Sequence, residues 1–269
     1  DCALSNMSNS HVQTVAVLTQ YNARSLNEHL SSSKWWDFGR KQGGMYLFTP
    51  TVTAENSDWY RGTADAMYQN IDFLKRRHEP YVIISSGDCV YKMDYNKVLD
   101  YHIAKKADIT VVCKDMPDVN INRFGVVRMN EDSRIVEFEE KPIIAQSNTI
   151  STGVYVIRRG QLIEILEKSA EENRFDFVAD VLIRYKNIKR IYGYKMKEYW
   201  SNIASVDDYF RTNMDFLKQD VRDYFFRQEP KIYSKVDDLP PAKYNTGSDI
   251  TNSLISSGCI ITSRVENSV

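Results

Sequence analysis

The chain has 269 residues, of which 42% are hydrophobic and 26% are charged, as expected of an ordinary globular protein with one large core. Its 35 basic and 36 acidic residues give a net charge of -1, which provides no electrostatic basis for binding nucleic acid or a membrane surface. The sequence also has no apolar run of membrane-spanning length and no N-terminal signal pattern. We therefore expect a soluble protein without nucleic-acid or membrane partners.

The four cysteines are scattered, with neither a C-x-x-C pair nor histidines at metal-ligand spacing. This pattern argues against a zinc site or a disulfide scaffold and favours a reducing, cytoplasmic setting. The sequence opens on Asp1 without an initiator methionine and closes on VENSV inside a repeating pattern. We expect it to be part of a longer polypeptide.

The first half of the chain alternates between predicted strands and helices. Apolar, β-branched runs from Thr14, from Tyr81 to Asp88 and from Asp108 to Lys114 predict buried strands. Amphipathic helices are predicted between them, one after Thr63 as N-cap and one at 95–105. This alternation predicts an α/β doubly wound core with a largely parallel sheet.

The second half predicts a hairpin, a further strand and two helices. The runs FGVVRM and RIVEFEE flank turn residues 130–133, and a strand follows at 151–158. Helices are predicted at 177–186 and at 205–217, the latter with Ser205 as N-cap.

The C-terminal end changes character. The proline-containing segment 229–245 is a linker by composition, which separates a domain at 1–228 from residues 246–269. In 246–269 the spacing of Ile250, Ile255, Ile261 and Val265 approximates the six-residue repeat of a left-handed parallel β-helix. The alternative is one edge hairpin of the main domain.

Ligands of an open α/β sheet bind beyond the carboxyl ends of its strands, where this sequence places Gln20, Asp88 and Lys114. Gly87 predicts a tight turn that brings the Asp88 carboxylate to the rim, where it can hold a divalent cation against phosphates. A carboxylate at a strand end is about as often a helix cap or turn former.

Two other segments carry candidate binding groups. WYRGT, at 59–63, places two aromatic rings before a helix N-terminus, a combination that suits a base and an anion; the alternative is an anchor followed by an ordinary cap. FEEKP, at 138–142, offers Glu140 to sugar hydroxyls and Lys141 to a phosphate; the alternative is a solvated charged face.

Taken together and in this order, seven segments resemble the bacterial glucose-1-phosphate adenylyltransferase family over nearly all of residues 14–269: VLTQY, WYRGTADA, ISSGD, RFG, FEEKP, STGVYV and YWSNIASVDDY. Members of the family transfer the adenylyl group of ATP to glucose 1-phosphate, release pyrophosphate and make the glucosyl donor for glycogen. The resemblance implies a Rossmann-like, GT-A-like nucleotidyltransferase domain with a mixed sheet and helices on both faces. It also implies the start of a left-handed parallel β-helix after that domain, and assembly into tetramers.

The resemblance assigns roles to individual residues. Asp88 becomes a catalytic, Mg²⁺-binding carboxylate, and Asn202 stands at the second metal position as a weak ligand. Contacts to glucose 1-phosphate are implied for Glu140, Lys141 and Ser151. The residues implied around ATP are Gln20, Trp59, Tyr60, Gly62 and Thr63.

Three departures from the family put catalysis in doubt. The family's glycine-rich triphosphate loop lies upstream of the segment with which this sequence begins. Its Gly-Asp-His is here Gly-Asp-Cys, with Cys89 in place of the histidine. Its Tyr-Trp-Lys/Arg-Asp is here Tyr-Trp-Ser-Asn, so that Ser201 replaces a cation and Asn202 a metal-binding carboxylate.

These departures resemble the regulatory type of subunit found beside the catalytic one in glycogen synthesis of many low-GC Gram-positive bacteria. We therefore expect a subunit that pairs with a catalytic homologue. A self-sufficient Mg²⁺-dependent adenylyltransferase, acting as a homo-oligomer, is the alternative, and a nucleotidyltransferase for another base or sugar is a more distant one.

Overall fold

The computed structural model describes residues 1–39, 43–51, 59–116 and 121–269. The β-strands of this part of the chain are β1 (Thr14–Leu18), β2 (Gly44–Phe48), β3 (Tyr81–Ser85), β4 (Cys89–Tyr91), β5 (Ile109–Asp115), β6 (Gly125–Met129), β7 (Ile135–Glu140), β8 (Thr149–Arg158), β9 (Ile191–Lys195), β10 (Trp200–Asn202), β11 (Lys243–Tyr244), β12 (Asp249–Thr251), β13 (Ile260–Ile261) and β14 (Arg264–Glu266).

Its α-helices are α1 (Cys2–Asn9), α2 (Ala23–Leu30), α3 (Thr63–Gln69), α4 (Ile71–Lys75), α5 (Tyr95–Ala104), α6 (Arg159–Glu171), α7 (Ile183–Tyr185), α8 (Val206–Asp215) and α9 (Gln219–Arg222). A 3₁₀ turn at Ser33–Trp36 and π-helical turns at Phe177–Leu182 and Asp223–Arg227 complete the helical structure of the described residues.

The main sheet has six strands in the order β7-β6-β8-β5-β9, and β3 also pairs with β8. The long strand β8 is antiparallel to β5 along one edge. Its other edge pairs with β6 at Ile150 and with β3 from Val154 to Arg158. The three residues between, 151–153, therefore lie at a split between β6 and β3.

The prediction of a largely parallel sheet is wrong. Among the described residues of the main sheet, β5 and β9 pair in parallel, and the pairings of β8 with β3, β5 and β6 and of β6 with β7 are antiparallel. The spacing of the predicted strands suggests that β3 and β5 are neighbours in the sheet. In the structure, β8 lies between them and pairs with both. β1 and β2 pair in parallel in a small sheet of their own.

The sheet is covered by apolar layers on both faces. Along β5, Val111 packs in one cluster with Leu162 of α6, and Val112 packs in a second cluster with Val98 of α5. Successive strand residues point to opposite faces, so helices lie on both sides of the sheet. A third cluster surrounds Trp36 and includes Leu4 of α1 and Val15 of β1.

The local sequence pattern predicts the start of one helix correctly and the start of another incorrectly. Ser205 caps α8 as predicted, since its Oγ accepts from the Asp208 N–H at 3.1 Å. Thr63 is not an N-cap: α3 already includes it, and its Oγ1 accepts from the Phe177 N–H at 2.9 Å. The predicted helix after Thr63 is broken at Asn70, whose side chain donates to the Tyr60 hydroxyl and the Ala66 carbonyl.

The predicted hairpin is confirmed. β6 and β7 are antiparallel, and the Asn130 side chain accepts from the N–H groups of Asp132 and Arg134 in the turn. The predicted helix at 177–186 forms as the π-helical turn followed by α7, with Asp176 as its cap.

The segment after residue 228 is bonded to the N-terminal helix α1 and to the 3₁₀ turn at Ser33–Trp36. The Asn9 amide donates to the Lys231 carbonyl, and Trp36 Nε1 donates to the Tyr233 carbonyl at 3.1 Å. Beyond it, β11 pairs in parallel with β13, and β12 pairs in parallel with β14, so that Ile250 lies opposite Val265. No helix in the described ranges is both long and apolar enough to cross a membrane.

Candidate functional site

The candidate site lies at the split in the main sheet, where β8 holds the loop that carries Asp88. The Ser86 N–H donates to the Gly153 carbonyl at 2.9 Å. Gly153 has a φ of +76°, and a Cβ at this position would lie 2.9 Å from the Ser86 Cβ. Both the left-handed backbone and the close approach therefore require glycine. Ser86 Oγ in turn donates to the Asp88 carboxylate.

Gly87 does not have the role that the sequence predicts. Its φ lies outside the left-handed region, and a Cβ there would have no heavy atom within 4 Å. The turn at Asp88 is held instead by Ser86 and by the residue that follows β10, because the Ile203 N–H donates to the Asp88 carbonyl at 2.8 Å.

Asn202 lies beside Asp88, as the resemblance implies, but its side chain is engaged with backbone. β10 pairs with β4 so that Asn202 is opposite Cys89. Its Nδ2 donates to the Asp88 carbonyl at 3.3 Å and contacts Cys89 Sγ at 3.8 Å. Its Oδ1 accepts from the Ala204 N–H at 3.1 Å. Asn202 thus ties β10 to the Asp88 turn.

Cys89 adds no charge to this site. The residue is buried at 7% exposure, and burial, followed by the Asp88 charge, raises the pKa of its thiol to about 12. It remains a neutral thiol that packs with Tyr91 and Trp200.

Glu140 and Lys141 lie on the β6–β7 side of the split, and Ser151 lies in the split itself. Glu140 is opposite Gly125 in the β6–β7 pair, and a Cβ on Gly125 would lie 3.0 Å from its Oε2. Burial raises the pKa of the Glu140 carboxyl, while the ammonium group of Lys141, 3.5 Å away, opposes the rise. The Lys141 side chain is 66% exposed and is open to a ligand.

Ser151 is buried, and its Oγ donates to the Tyr155 hydroxyl at 3.2 Å. Burial raises the pKa of Tyr155 well above its usual range, and the charges of Glu140 and Asp176 add to this effect. Tyr155 therefore stays neutral and lies within electrostatic reach of both carboxylates.

The aromatic segment is brought together with Gln20. The Tyr60 N–H donates to Gln20 Oε1 at 2.7 Å, and Gln20 Nε2 donates back to the Tyr60 carbonyl at 3.4 Å. Trp59 is 55% exposed and contacts the ring of Tyr21 at 4.9 Å. Because Gln20 fixes the neighbouring backbone, an exposed pair of rings is presented at the end of β1.

Gly62 and Thr63 anchor this segment to residues 175–177. A Cβ on Gly62 would collide with the Phe175 carbonyl oxygen, which accepts from the Ala64 N–H at 2.8 Å. Together with the bond from Phe177 to Thr63, this contact gives both residues a positioning role in the described structure.

Sequence reasoning missed three side chains of the site. Ser86 donates to the Asp88 carboxylate, the Tyr155 hydroxyl accepts from Ser151, and Asp176 lies within electrostatic reach of Glu140. Gly153 inside a buried strand was the one available signal, because a glycine there marks a close backbone approach. Lys114, at a predicted strand end, donates to the Glu198 carbonyl at 2.7 Å.

The donor set suits Mg²⁺ only in part. The described residues contain no group of three or more His, Cys, Asp and Glu side chains able to hold a metal ion. Mg²⁺ is often held by one or two carboxylates together with substrate phosphates. Asp88 can supply one carboxylate, whereas both polar atoms of the Asn202 side chain already have protein partners.

The sequence matches proteins of known family along its whole length. The sequence profile of the nucleotidyl transferase family matches residues 1–219. The glucose-1-phosphate adenylyltransferases of Thermosipho melanesiensis, Bacillus cytotoxicus and Lachnospira eligens are 38%, 39% and 40% identical to it. Each alignment covers 100% of this chain and 66%, 72% and 64% of the relative, respectively. The chain spans about two thirds of the length of these relatives, and it belongs to the nucleotidyl transferase family as a homologue of glucose-1-phosphate adenylyltransferases.

Proposed function

We propose that the chain acts as an ADP-glucose pyrophosphorylase-like subunit of glycogen biosynthesis, with weak or no catalysis of its own, that pairs with a catalytic homologue. The observation that carries this proposal is the Asn202 side chain. Where the resemblance implies a metal-binding carboxylate, this chain has an amide whose Nδ2 and Oδ1 bond to the backbone at Asp88 and Ala204. Asp88 then supplies one carboxylate to a metal ion, and two carboxylates would hold the ion more tightly.

The site has side chains that can bind ATP and glucose 1-phosphate even if catalysis is weak. Trp59 and Tyr21 offer exposed rings on which an adenine can stack, with Gln20 and Tyr60 fixing the backbone beneath them. Lys141 offers an exposed ammonium to the phosphate of glucose 1-phosphate, and Glu140 an acceptor to sugar hydroxyls. When bound, Mg²⁺ would neutralise phosphate charge, and Asp88 would hold it with the ligand's own phosphates.

An exposed apolar surface supports the pairing. On α8, Val206, Tyr209 and Phe210 are 83%, 59% and 62% exposed, and Ile143 in the loop after Lys141 is 91% exposed. The segment 121–124 joins the two, because the Asn122 amide donates to the Ile143 carbonyl and Arg123 pairs with Asp208 of α8. Exposed apolar side chains that are grouped in this way are typical of protein interfaces.

The alternative is a self-sufficient Mg²⁺-dependent glucose-1-phosphate adenylyltransferase that forms a homo-oligomer. The observation in its favour is the retained set of Asp88, Glu140 and Lys141 around the split, together with an identity of 36% to the Bacillus subtilis enzyme. A single carboxylate with ligand phosphates is then sufficient for the metal.

The domain plan belongs to the same proposal. Residues 1–228 would form the nucleotidyltransferase domain, 229–245 the linker and 246–269 the first turns of a left-handed β-helix. Parallel pairing of β11 with β13 and of β12 with β14 supports this plan, since successive turns of such a helix stack in parallel. Tetramers and a cytoplasmic location are the corresponding expectations for the whole protein.

A pyrophosphate-release assay with Mg²⁺, ATP and glucose 1-phosphate tests the proposal. The chain alone should be nearly inactive, whereas adding it to a catalytic relative should raise that enzyme's rate. The matched variant Asp88→Asn should raise the rate equally well, because the metal carboxylate of this subunit is not used. Turnover by the isolated chain comparable to that of the relative, abolished by Asp88→Asn, would establish the alternative.

A further inference from the structure

Lys141 begins a loop, residues 141–148, that joins β7 to β8 and has little support of its own. The structure describes the whole loop, which contains no helix or strand, and Ile143 and Ile144 are 91% and 79% exposed. Lys141 itself has a φ of +48°. This angle is uncommon for a lysine, and Pro142 favours a negative φ at the residue before it. Such a backbone persists only where its surroundings hold it.

The surroundings that hold Lys141 are residues 122–124, just before β6. The Lys141 N–H donates to the Phe124 carbonyl at 3.1 Å. Two residues further along the loop, the Ile143 carbonyl accepts from the Asn122 amide at 2.8 Å. Both bonds come from one three-residue segment, so a shift of that segment would also move the backbone of Lys141.

Arg123, at the centre of this segment, is anchored on α8. Its guanidinium donates through two nitrogens to both carboxylate oxygens of Asp208, in one case at 2.9 Å. Asp208 is buried and also accepts from the Ser205 hydroxyl at 2.6 Å. The bond from Arg123 lowers the pKa of the Asp208 carboxyl to about 2, although burial opposes this shift. A bidentate pair of this kind fixes the orientation of both partners.

Arg123 also contacts the aromatic anchor of the same segment. The ring of Phe124 meets Trp200 edge-on at 5.7 Å, within the second apolar cluster. The Arg123 guanidinium lies over the Phe124 ring at 4.8 Å. Loss of the Arg123 side chain would therefore weaken both contacts that fix the segment to the rest of the fold.

We propose that Arg123 is a positioning residue for sugar-phosphate binding: paired with Asp208, it holds residues 122–124, which hold Lys141 in its left-handed conformation. Arg123 acts through Lys141 and not on the ligand. The inference rests on the role proposed for Lys141 in binding the phosphate of glucose 1-phosphate. Without the pair, the loop would have to be ordered when the ligand binds, and this ordering weakens affinity.

Calorimetric titration of the full chain with glucose 1-phosphate, at constant ionic strength, measures the effect on binding. Lys141→Gln should weaken binding about tenfold or more, because a charge-assisted bond is lost. Arg123→Gln should weaken it about threefold to tenfold, because the ammonium remains but is no longer held. Arg123→Lys, which keeps the charge, should lose less. The control Arg128→Gln removes an exposed pair with Glu137 and should change binding less than about twofold.

A double variant distinguishes positioning of Lys141 from a general structural role. In the Lys141→Gln background, Arg123→Gln should weaken binding less than about twofold further, because its effect passes through an ammonium that is already absent. An equal loss from Arg123→Gln in both backgrounds overturns the inference.

Hydrogen exchange of the Lys141 amide, measured without ligand, tests the loop separately from binding. Arg123→Gln should accelerate this exchange about tenfold or more, and by a larger factor than exchange in β5. If the single variant does not fold, Arg123→Ala with Asp208→Ala removes the pair without leaving a buried carboxylate unpaired. Unchanged exchange at Lys141 in a folded variant overturns the inference.

The two measurements separate failure of this inference from failure of the proposed function. Weaker binding in Lys141→Gln, with Arg123→Gln equal to wild type, overturns the inference and supports the proposed role of Lys141. Affinity that is unchanged by Lys141→Gln overturns that role, and the exchange rate then decides by itself whether Arg123 holds the loop.

Discussion

Replacing Asn202 by aspartate tests whether the amide at this position is a structural link or a weak metal ligand. The variant restores the carboxylate that the related enzymes are inferred to use. It also removes the donor that bonds to the Asp88 carbonyl at 3.3 Å. We therefore expect Asn202→Asp to destabilise the protein without Mg²⁺ and to gain a response to Mg²⁺.

The magnitude follows from the contacts. Loss of a neutral side-chain hydrogen bond costs about 1 kcal/mol, and a second carboxylate beside Asp88 adds a repulsion of about 1 kcal/mol on a half-exposed surface. The free energy of unfolding should fall by about 2 kcal/mol. If the paired carboxylates bind Mg²⁺ with a Kd of about 1 mM, then about 10 mM Mg²⁺ restores roughly 1.4 kcal/mol, whereas a wild-type Kd above about 10 mM gives less than about 0.4 kcal/mol.

Urea unfolding with and without MgCl₂, at matched ionic strength, measures both effects. Asn202→Ala is the control, because it loses the amide contacts without adding charge. It should be destabilised and should not respond to Mg²⁺. Wild type that is stabilised by Mg²⁺ as strongly as Asn202→Asp would show that the amide already serves as a metal ligand. An Asn202→Asp variant that is as stable as wild type without the metal would show that the amide is not a structural link.

Further variants test three other features of the fold. His102 is neutral in the fold with a pKa of about 4 and binds a proton near pH 6.5 when unfolded, so its contribution to stability is lost as pH falls through this window. Relative to His102→Gln, wild type should lose roughly 3 kcal/mol between pH 7 and pH 4 in urea unfolding; a difference that is constant with pH contradicts the assignment. Gly153→Ala should cost about 2 kcal/mol or more, since φ is +76° and Ser86 is in contact, whereas Gly160→Ala in an open helix turn should be neutral or slightly stabilising. Phe210→Ser, on the exposed face of α8, should weaken pairing with a catalytic relative in analytical ultracentrifugation and leave the melting temperature unchanged; association equal to wild type would exclude this face.

The elements that could be predicted from the sequence are those whose signals are local. The apolar run of β5 is buried on both faces, and the S-x-x-D pattern at Ser205 caps α8. The turn between β6 and β7 rests on the side chain of Asn130, which accepts from N–H groups within residues 130–134. In each case the groups that satisfy the pattern lie next to one another in the chain.

The errors concern groups that meet across long stretches of chain. Thr63 has the composition of an N-cap, but its hydroxyl accepts from Phe177, far along the chain. The parallel sheet was predicted from spacing alone, and nothing in the spacing shows that β8 inserts beside β5. The split that forms the candidate site depends on this insertion, so single segments could suggest its residues but not their arrangement.

The departures at Cys89 and Asn202 are best understood as one change. The two residues are opposite each other in the β4–β10 pair, and the amide contacts the thiol at 3.8 Å. The histidine and aspartate that the resemblance implies at these positions would meet as a ring donor and a charged acceptor, whereas here a neutral thiol meets a neutral amide. Restoring aspartate alone sets a carboxylate against a buried thiol, and restoring histidine alone sets a ring where a small side chain is packed at 7% exposure. Residues in direct contact do not contribute additively, so the cost of each reversion includes the absence of the other. We therefore expect only a low gain in activity from Asn202→Asp alone, because the new carboxylate would lack the histidine partner that the resemblance implies.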